Sequence, residues 1–150
     1  MKKILSLLMA LLMVGSMGLN ALAGSGMNNF KTKNTFAGFT DVAENAWYHG
    51  SVKAAFEYGL VKGTTPTTYN PTGSLTVAEA IVMADRIHTL YANGKDTLQN
   101  GSPWYQSYVD YAFANNIISK EYAWNQQATR AGYMEIFAGA LPAEALAPIN

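Results

Sequence analysis

The chain has no cysteine among its 150 residues. That absence removes disulfide frameworks, thiol nucleophiles and a lipid-modified cysteine behind a leader. Histidine is almost as scarce: only His49 and His88 occur, far apart and in different predicted helices, so neither a helical metal pair nor a Ser-His-Asp arrangement is indicated. Charge is sparse at 13% of residues and balanced, ten basic against ten acidic, which gives no basic face for nucleic acid. Carboxylates are too few and too scattered to mark a catalytic pair. Asp41, Glu57, Glu79 and Asp85 read instead as helix caps or solvated helix faces, and the segment from Asp96 to Gly101 lacks the ligand order of a calcium loop. No catalytic residue, metal or cofactor is therefore expected.

Long apolar runs are missing except at the start. Lys2-Lys3, an apolar stretch from Ile4 to Val14 and Ala21-Leu22-Ala23 before Gly24 have the order of a secretory signal peptide, residues 1–23. The stretch is too short for a membrane span, so none is expected in the mature chain. Without Lys2 and Lys3 the mature chain carries a net charge of about −2. Export without disulfides suits a bacterial envelope. Residues 24–37, rich in Gly, Ser, Asn and Lys, read as a flexible lead-in.

What the chain does have is a repeat. Trp47-Tyr48, Val52, Ala55 and Phe56 recur as Trp104-Tyr105, Val109, Ala112 and Phe113, an offset of 57 from 104 minus 47. Gly59-Leu60-Val61 is answered at the same offset by Asn116-Ile117-Ile118. Thr76-Val77-Ala78-Glu79 is answered by Thr129-Arg130-Ala131-Gly132, an offset of 53 from 129 minus 76. A loop absorbs the four-residue difference. Units of this size usually cannot bury their apolar face alone and must stack.

Within the first unit Tyr48, Val52, Ala55 and Phe56 fall on one helical stripe, and Gly59 offers a left-handed stop. Thr64 to Gly73 is a loop dense in Thr, Pro, Asn and Gly. A second helix starts at Thr76, where Thr76 and Glu79 form a capping box, and runs to about Asn93-Gly94. The second unit repeats the plan with helices over Trp104–Asn116 and Thr129–Leu141, stopped by Pro142. No alternation long enough for a sheet is present, so the fold class is all-α, built of tandem helix-loop-helix repeats at 38–95 and 96–142. Residues 143–150 read as a linker.

Phe39-Thr40-Asp41-Val42, Trp47-Tyr48, Gly59-Leu60-Val61-Lys62-Gly63, Tyr69-Asn70-Pro71, Leu75-Thr76-Val77-Ala78-Glu79 and Arg86 together resemble the S-layer homology domain. The resemblance covers 39–93 well and 103–141 more loosely. It implies a bacterial cell-surface module in which helix pairs assemble into a pseudo-threefold bundle. It also implies binding of a secondary cell-wall polysaccharide, often bearing pyruvate ketals, so that an exported protein is held at the cell wall without a covalent bond. Carried over, the ligand-binding residues are Arg130 and Thr129 at the start of the second unit's second helix, Trp47 and Trp104 as flat faces for sugars, Gly63 for backbone approach, and Thr76 at the equivalent helix start, where Glu79 completes a structural cap. Val77 stands in the family's arginine position, Gly132 replaces its glutamate and Gly139 replaces its closing arginine. A surface-layer assembly module that pairs with other surface-layer chains without tight polymer binding is the first alternative. A cell-wall glycan hydrolase is the second.

Overall fold

The computed structural model describes residues 26–145, so the expected signal peptide and the last five residues of the expected linker lie outside it. Four helices follow one another: α1 at His49–Glu57, α2 at Val77–Asn93, α3 at Gln106–Ala114 and α4 at Arg130–Gly139. Short 3-10 turns at Met27–Asn29 and Ala143–Ala145 flank them. No strand forms among the described residues; an isolated antiparallel bridge joins Thr76 and Gln127. The all-α expectation holds.

Helix α2 is the hub. It runs 17 residues because its apolar positions repeat at helical spacing, its start is capped and Gly94 closes it in the left-handed region at φ 71°. Val77, Ala80, Ile81, Val82 and Ala84 of α2 form one buried cluster with Tyr108 and Ala112 of α3, Ile117 and Ile118 of the following turn, and Ile136 and Ala140 at the end of the second unit. The second helix of unit one thus finds its main partners in unit two. Helix α1 belongs to a separate cluster, in which Phe39, Val42 and Val52 are buried among Phe36, Tyr48, Phe56 and Tyr69. Neither unit completes a core from its own two helices, the behaviour anticipated for stacking repeats.

The stretch expected as a flexible lead-in is tied down instead. Backbone amides of Lys33 and Asn34 donate to the Glu57 carbonyl at 2.7 and 3.1 Å, and the Asn34 side-chain amide donates to the Phe56 carbonyl at 2.8 Å. Gly26 N and Asn29 Nδ2 both donate to the Tyr91 carbonyl at 2.8 Å. The segment therefore supplies donors to carbonyls that the ends of α1 and α2 leave without intrahelical partners. Its polar composition reflects that task rather than freedom.

Candidate functional site

An open cavity of about 420 Å³ lies against the first unit. Its walls are the turn from Leu60 to Thr64, the loop residues Tyr69–Pro71 and Gly73–Leu75, and the Glu79, Val82, Met83 and Arg86 positions of α2; Trp104 of the second unit closes one side. Aromatic faces (Tyr69, Trp104), apolar positions and two cations, Lys62 and Arg86, are gathered in one place. That combination suits a sugar with an acidic substituent, since aromatic rings cover apolar sugar faces while guanidinium and ammonium groups attract a carboxylate.

Each wall is fixed by an identifiable contact. Asp41 takes the backbone amide of Tyr69 on Oδ1 at 2.8 Å and that of Asn70 on Oδ2 at 2.7 Å. The hydrogen bond from Tyr69 is the main reason its carboxyl titrates below the ordinary value of 3.8. Thr40 adds a backbone hydrogen bond to the Thr67 carbonyl at 2.9 Å. Asp41 is therefore a clamp on the cavity loop, where the sequence suggested a cap or a solvated face. Gly63 has φ +83°, and a Cβ there would lie 2.6 Å from the Thr68 carbonyl oxygen and 2.8 Å from the Phe39 ring. Only glycine fits, because the turn packs on that ring. Gly63 lines the cavity and has a structural reason of its own to be glycine.

Arg86 lies at the far wall. Its Nε meets Asp96 Oδ2 at 3.2 Å and its Nη1 donates to the Leu60 carbonyl at 3.2 Å, so it both faces the cavity and pins the Leu60 turn. The sequence supplied Arg86 only as a family landmark. The position in unit two matching it, Gly139, shows what the arginine does: a Cβ there would stand 2.8 Å from the Ile117 carbonyl carbon and 3.0 Å from its Cα. Ile117 is the counterpart of Leu60 at the offset of 57. Unit one thus holds helix and turn apart with an arginine, while unit two packs them backbone against backbone.

The rest of the second unit continues that difference. Lys120, Glu135 and Tyr122 occupy the positions of Gly63, Val82 and Tyr69 by the two offsets. Lys120 Nζ lies 2.7 and 2.9 Å from the Glu135 oxygens and 5.2 Å above the Tyr122 ring. The mutual hydrogen bond raises the Lys120 pKa and lowers that of Glu135. An ion pair thus spans unit two where unit one is open.

The residues singled out from sequence separate accordingly. Trp47 and Trp104 stack edge-on against the following tyrosine in the same way, at 5.4 and 5.5 Å and both at 85°. Trp104 is 41% exposed and lines the cavity, whereas Trp47 is 92% exposed and lies outside it. The capping box forms: Thr76 N donates to Glu79 Oε2 at 2.7 Å and Glu79 N to Thr76 Oγ1 at 3.2 Å. The remaining amides of that turn are engaged as well, Val77 N by the Gln126 carbonyl and Ala78 N by the Trp124 carbonyl, each at 2.9 Å. This corrects the expectation that Thr76 opens onto a ligand: residues 124–126 cover the helix start, and Val77 is buried beneath them. Thr129 caps α4 through Gly132 N at 3.1 Å. Arg130 is exposed, outside the cavity, and has no hydrogen-bond or ion-pair partner among the described residues.

One charged residue departs from the sequence reading altogether. Asp85, taken for a cap or a solvated face, is wholly buried, and neither carboxyl oxygen has a partner among the described residues. Burial first, and Asp96 second, push its pKa up to about 8. Its place was concealed because α2 is apolar on more than one side, packing on both helices of unit two. No group of three or more metal-ligating side chains converges among the described residues, and no described helix is long and apolar enough to cross a membrane.

Comparison with known proteins completes the picture. Residues 38–81 match the family model of the S-layer homology domain. The chain is 31% identical over 134 residues to an endoglucanase of Bacillus sp. (strain KSM-635), covering 86% of this chain and 14% of that protein. It is also 31% identical over 84 residues to the surface-layer 125 kDa protein of Lysinibacillus sphaericus, covering 53% of this chain and 7% of that protein. The chain thus spans a small fraction of the length of either relative. No solved structure matches it. The matched segment contains the Asp41 clamp, the cavity loop and the capped start of α2, and the chain carries an S-layer homology domain there, in residues 38–81.

Proposed function

We propose that this chain holds an exported protein at a bacterial cell wall by binding a secondary cell-wall polysaccharide in the unit-one cavity. The observation that carries the reading is the joint presence of Trp104, Tyr69, Lys62 and Arg86 around one open space in a family whose members associate with the cell surface. A terminal sugar stacks on Trp104, and an acidic substituent such as a pyruvate ketal lies toward Lys62 and Arg86. Gly63 keeps the wall thin enough for close approach. Thr129 and Arg130 stand apart and serve at most as a second contact along an extended polymer. The likeness to a surface-layer protein supports a place at the cell surface. The endoglucanase shares 14% of its length with this chain, so its hydrolytic activity is not transferred.

The exposed Trp47 face favours a second reading, in which unit one also contacts another surface-layer chain. Both readings are separated by retention on purified cell-wall sacculi before and after chemical removal of the non-peptidoglycan polymer. Polymer binding predicts retention only on the intact material. Equal retention on stripped sacculi contradicts it.

A further inference from the structure

Asp85 lies on α2 at its seam with α3, with 0% exposure and no donor to either carboxyl oxygen among the described residues. From α3 it is faced by Tyr111, whose hydroxyl lies 2.7 Å from His88 Nδ1, and from the connecting segment by Asp96, whose carboxylate is engaged by Arg86 Nε at 3.2 Å. None of these offers the carboxyl a free positive charge: Arg86 is committed to Asp96 and the Leu60 carbonyl. A buried carboxylate with neither donor nor counter-ion is strongly unfavourable, so the proton must stay on or the seam must open. Trp104, two residues ahead of the start of α3, closes one side of the cavity.

We propose that Asp85 is a pH-operated latch between the two units: with its carboxyl neutral, α3 stays seated on α2 and Trp104 stays at the cavity, and its ionisation in alkali loosens the seam and withdraws Trp104. The surrounding groups do not titrate in the same interval. Burial lowers the His88 pKa below 6.5 and raises that of Tyr111 above 10, so His88 is neutral and Tyr111 protonated between pH 7 and 9.5. The folded-state value for Asp85 of about 8 lies above the ordinary 3.8. The folded form therefore retains a proton that the unfolded form has lost over the whole interval between them. The associated stability is complete below about pH 4 and is lost as pH rises through 8.

The test uses the described chain and its Asp85→Asn variant at pH 7 to 9.5. The wild-type folding constant should fall about fivefold from pH 7 to 8 and about tenfold by pH 9, levelling off above, while Asp85→Asn stays flat. Retention on intact sacculi should follow the same division, lost at pH 9.5 by the wild type and kept by the variant. This last arm rests on the function proposed above: absence of retention at every pH overturns that reading, whereas the folding constant still judges the latch. Parallel decline of both proteins overturns the latch. Should the variant not fold, nuclear magnetic resonance titration of the wild-type Asp85 carboxyl carbon decides: a midpoint in the alkaline range supports the latch, and one near 4 refutes it.

Discussion

Replacing Gly139 by alanine sets helix propensity against packing, and the structure gives the outcome. Alanine is favoured over glycine inside a helix by about 1 kcal/mol, so α4 on its own would gain. A Cβ at position 139 would lie 2.8 Å from the Ile117 carbonyl carbon and 3.0 Å from its Cα, and closer still to the oxygen. Both partners are backbone, so no side-chain rotation relieves the clash and α4 must move away bodily. That movement uncovers Ile136 and Ala140, both fully buried against α2. Overpacking of this kind costs about 1–3 kcal/mol, and rigid backbone places it at the upper end. The net expectation is a loss of about 2 kcal/mol, to be read by urea denaturation followed by far-ultraviolet circular dichroism. Gly50→Ala is the control, because nothing lies within 4 Å of a Cβ there and α1 should gain a few tenths to about 1 kcal/mol. Equal or greater stability of Gly139→Ala would refute the claim that unit two is closed by direct helix-to-turn contact.

Further expectations follow from the walls of the cavity. Glu79→Ala removes one side of the capping box and should cost about 1 kcal/mol in the same denaturation assay, with Thr76 N left to water. Asp41→Ala should release the loop, raising amide exchange at Tyr69 and Asn70 while leaving that of α3 unchanged. Because the Asp41 pKa is lowered in the folded chain, its contribution is present above the ordinary 3.8 and lost as pH falls through the folded value, so wild-type protection at those two amides should fall in strong acid. Arg86→Lys keeps the charge but loses the forked geometry that spans Asp96 and the Leu60 carbonyl, and should lower the thermal midpoint more than Lys62→Ala does.

The helices, their order and the capping box could all be read from the sequence, because 3.6-residue periodicity and a Thr-x-x-Glu start are local signals. Cavity membership could not, because it depends on what the neighbouring unit brings. Trp47 and Trp104 sit in the same local motif and share the same geometry with the next tyrosine, yet only Trp104 faces the first unit's loop. Arg130 is the one arginine in the family's helix-start position, whereas the cavity is lined by Lys62 in the turn after α1 and by Arg86, nearly three turns into α2. That Gly139 stands where unit one has Arg86 is legible in the sequence; that the exchange changes the packing distance between helix and turn is not. Asp85 was hidden for a related reason. A carboxylate in a helix reads as solvated until the partners on each side of that helix are known.

The central claim is that the unit-one cavity binds the wall polymer, and Lys62→Ala tests it most directly. Lys62 is exposed and has no hydrogen-bond or ion-pair partner among the described residues, so its removal leaves the fold intact, as unchanged circular dichroism should verify. A charge-assisted hydrogen bond to an acidic substituent is worth roughly 1.5–3 kcal/mol, and 1.4 kcal/mol is about tenfold in affinity. Affinity for polymer-bearing sacculi should therefore drop by about one to two decades in a sedimentation binding isotherm. Wild-type affinity in folded Lys62→Ala would contradict the assignment of the cavity as the binding site.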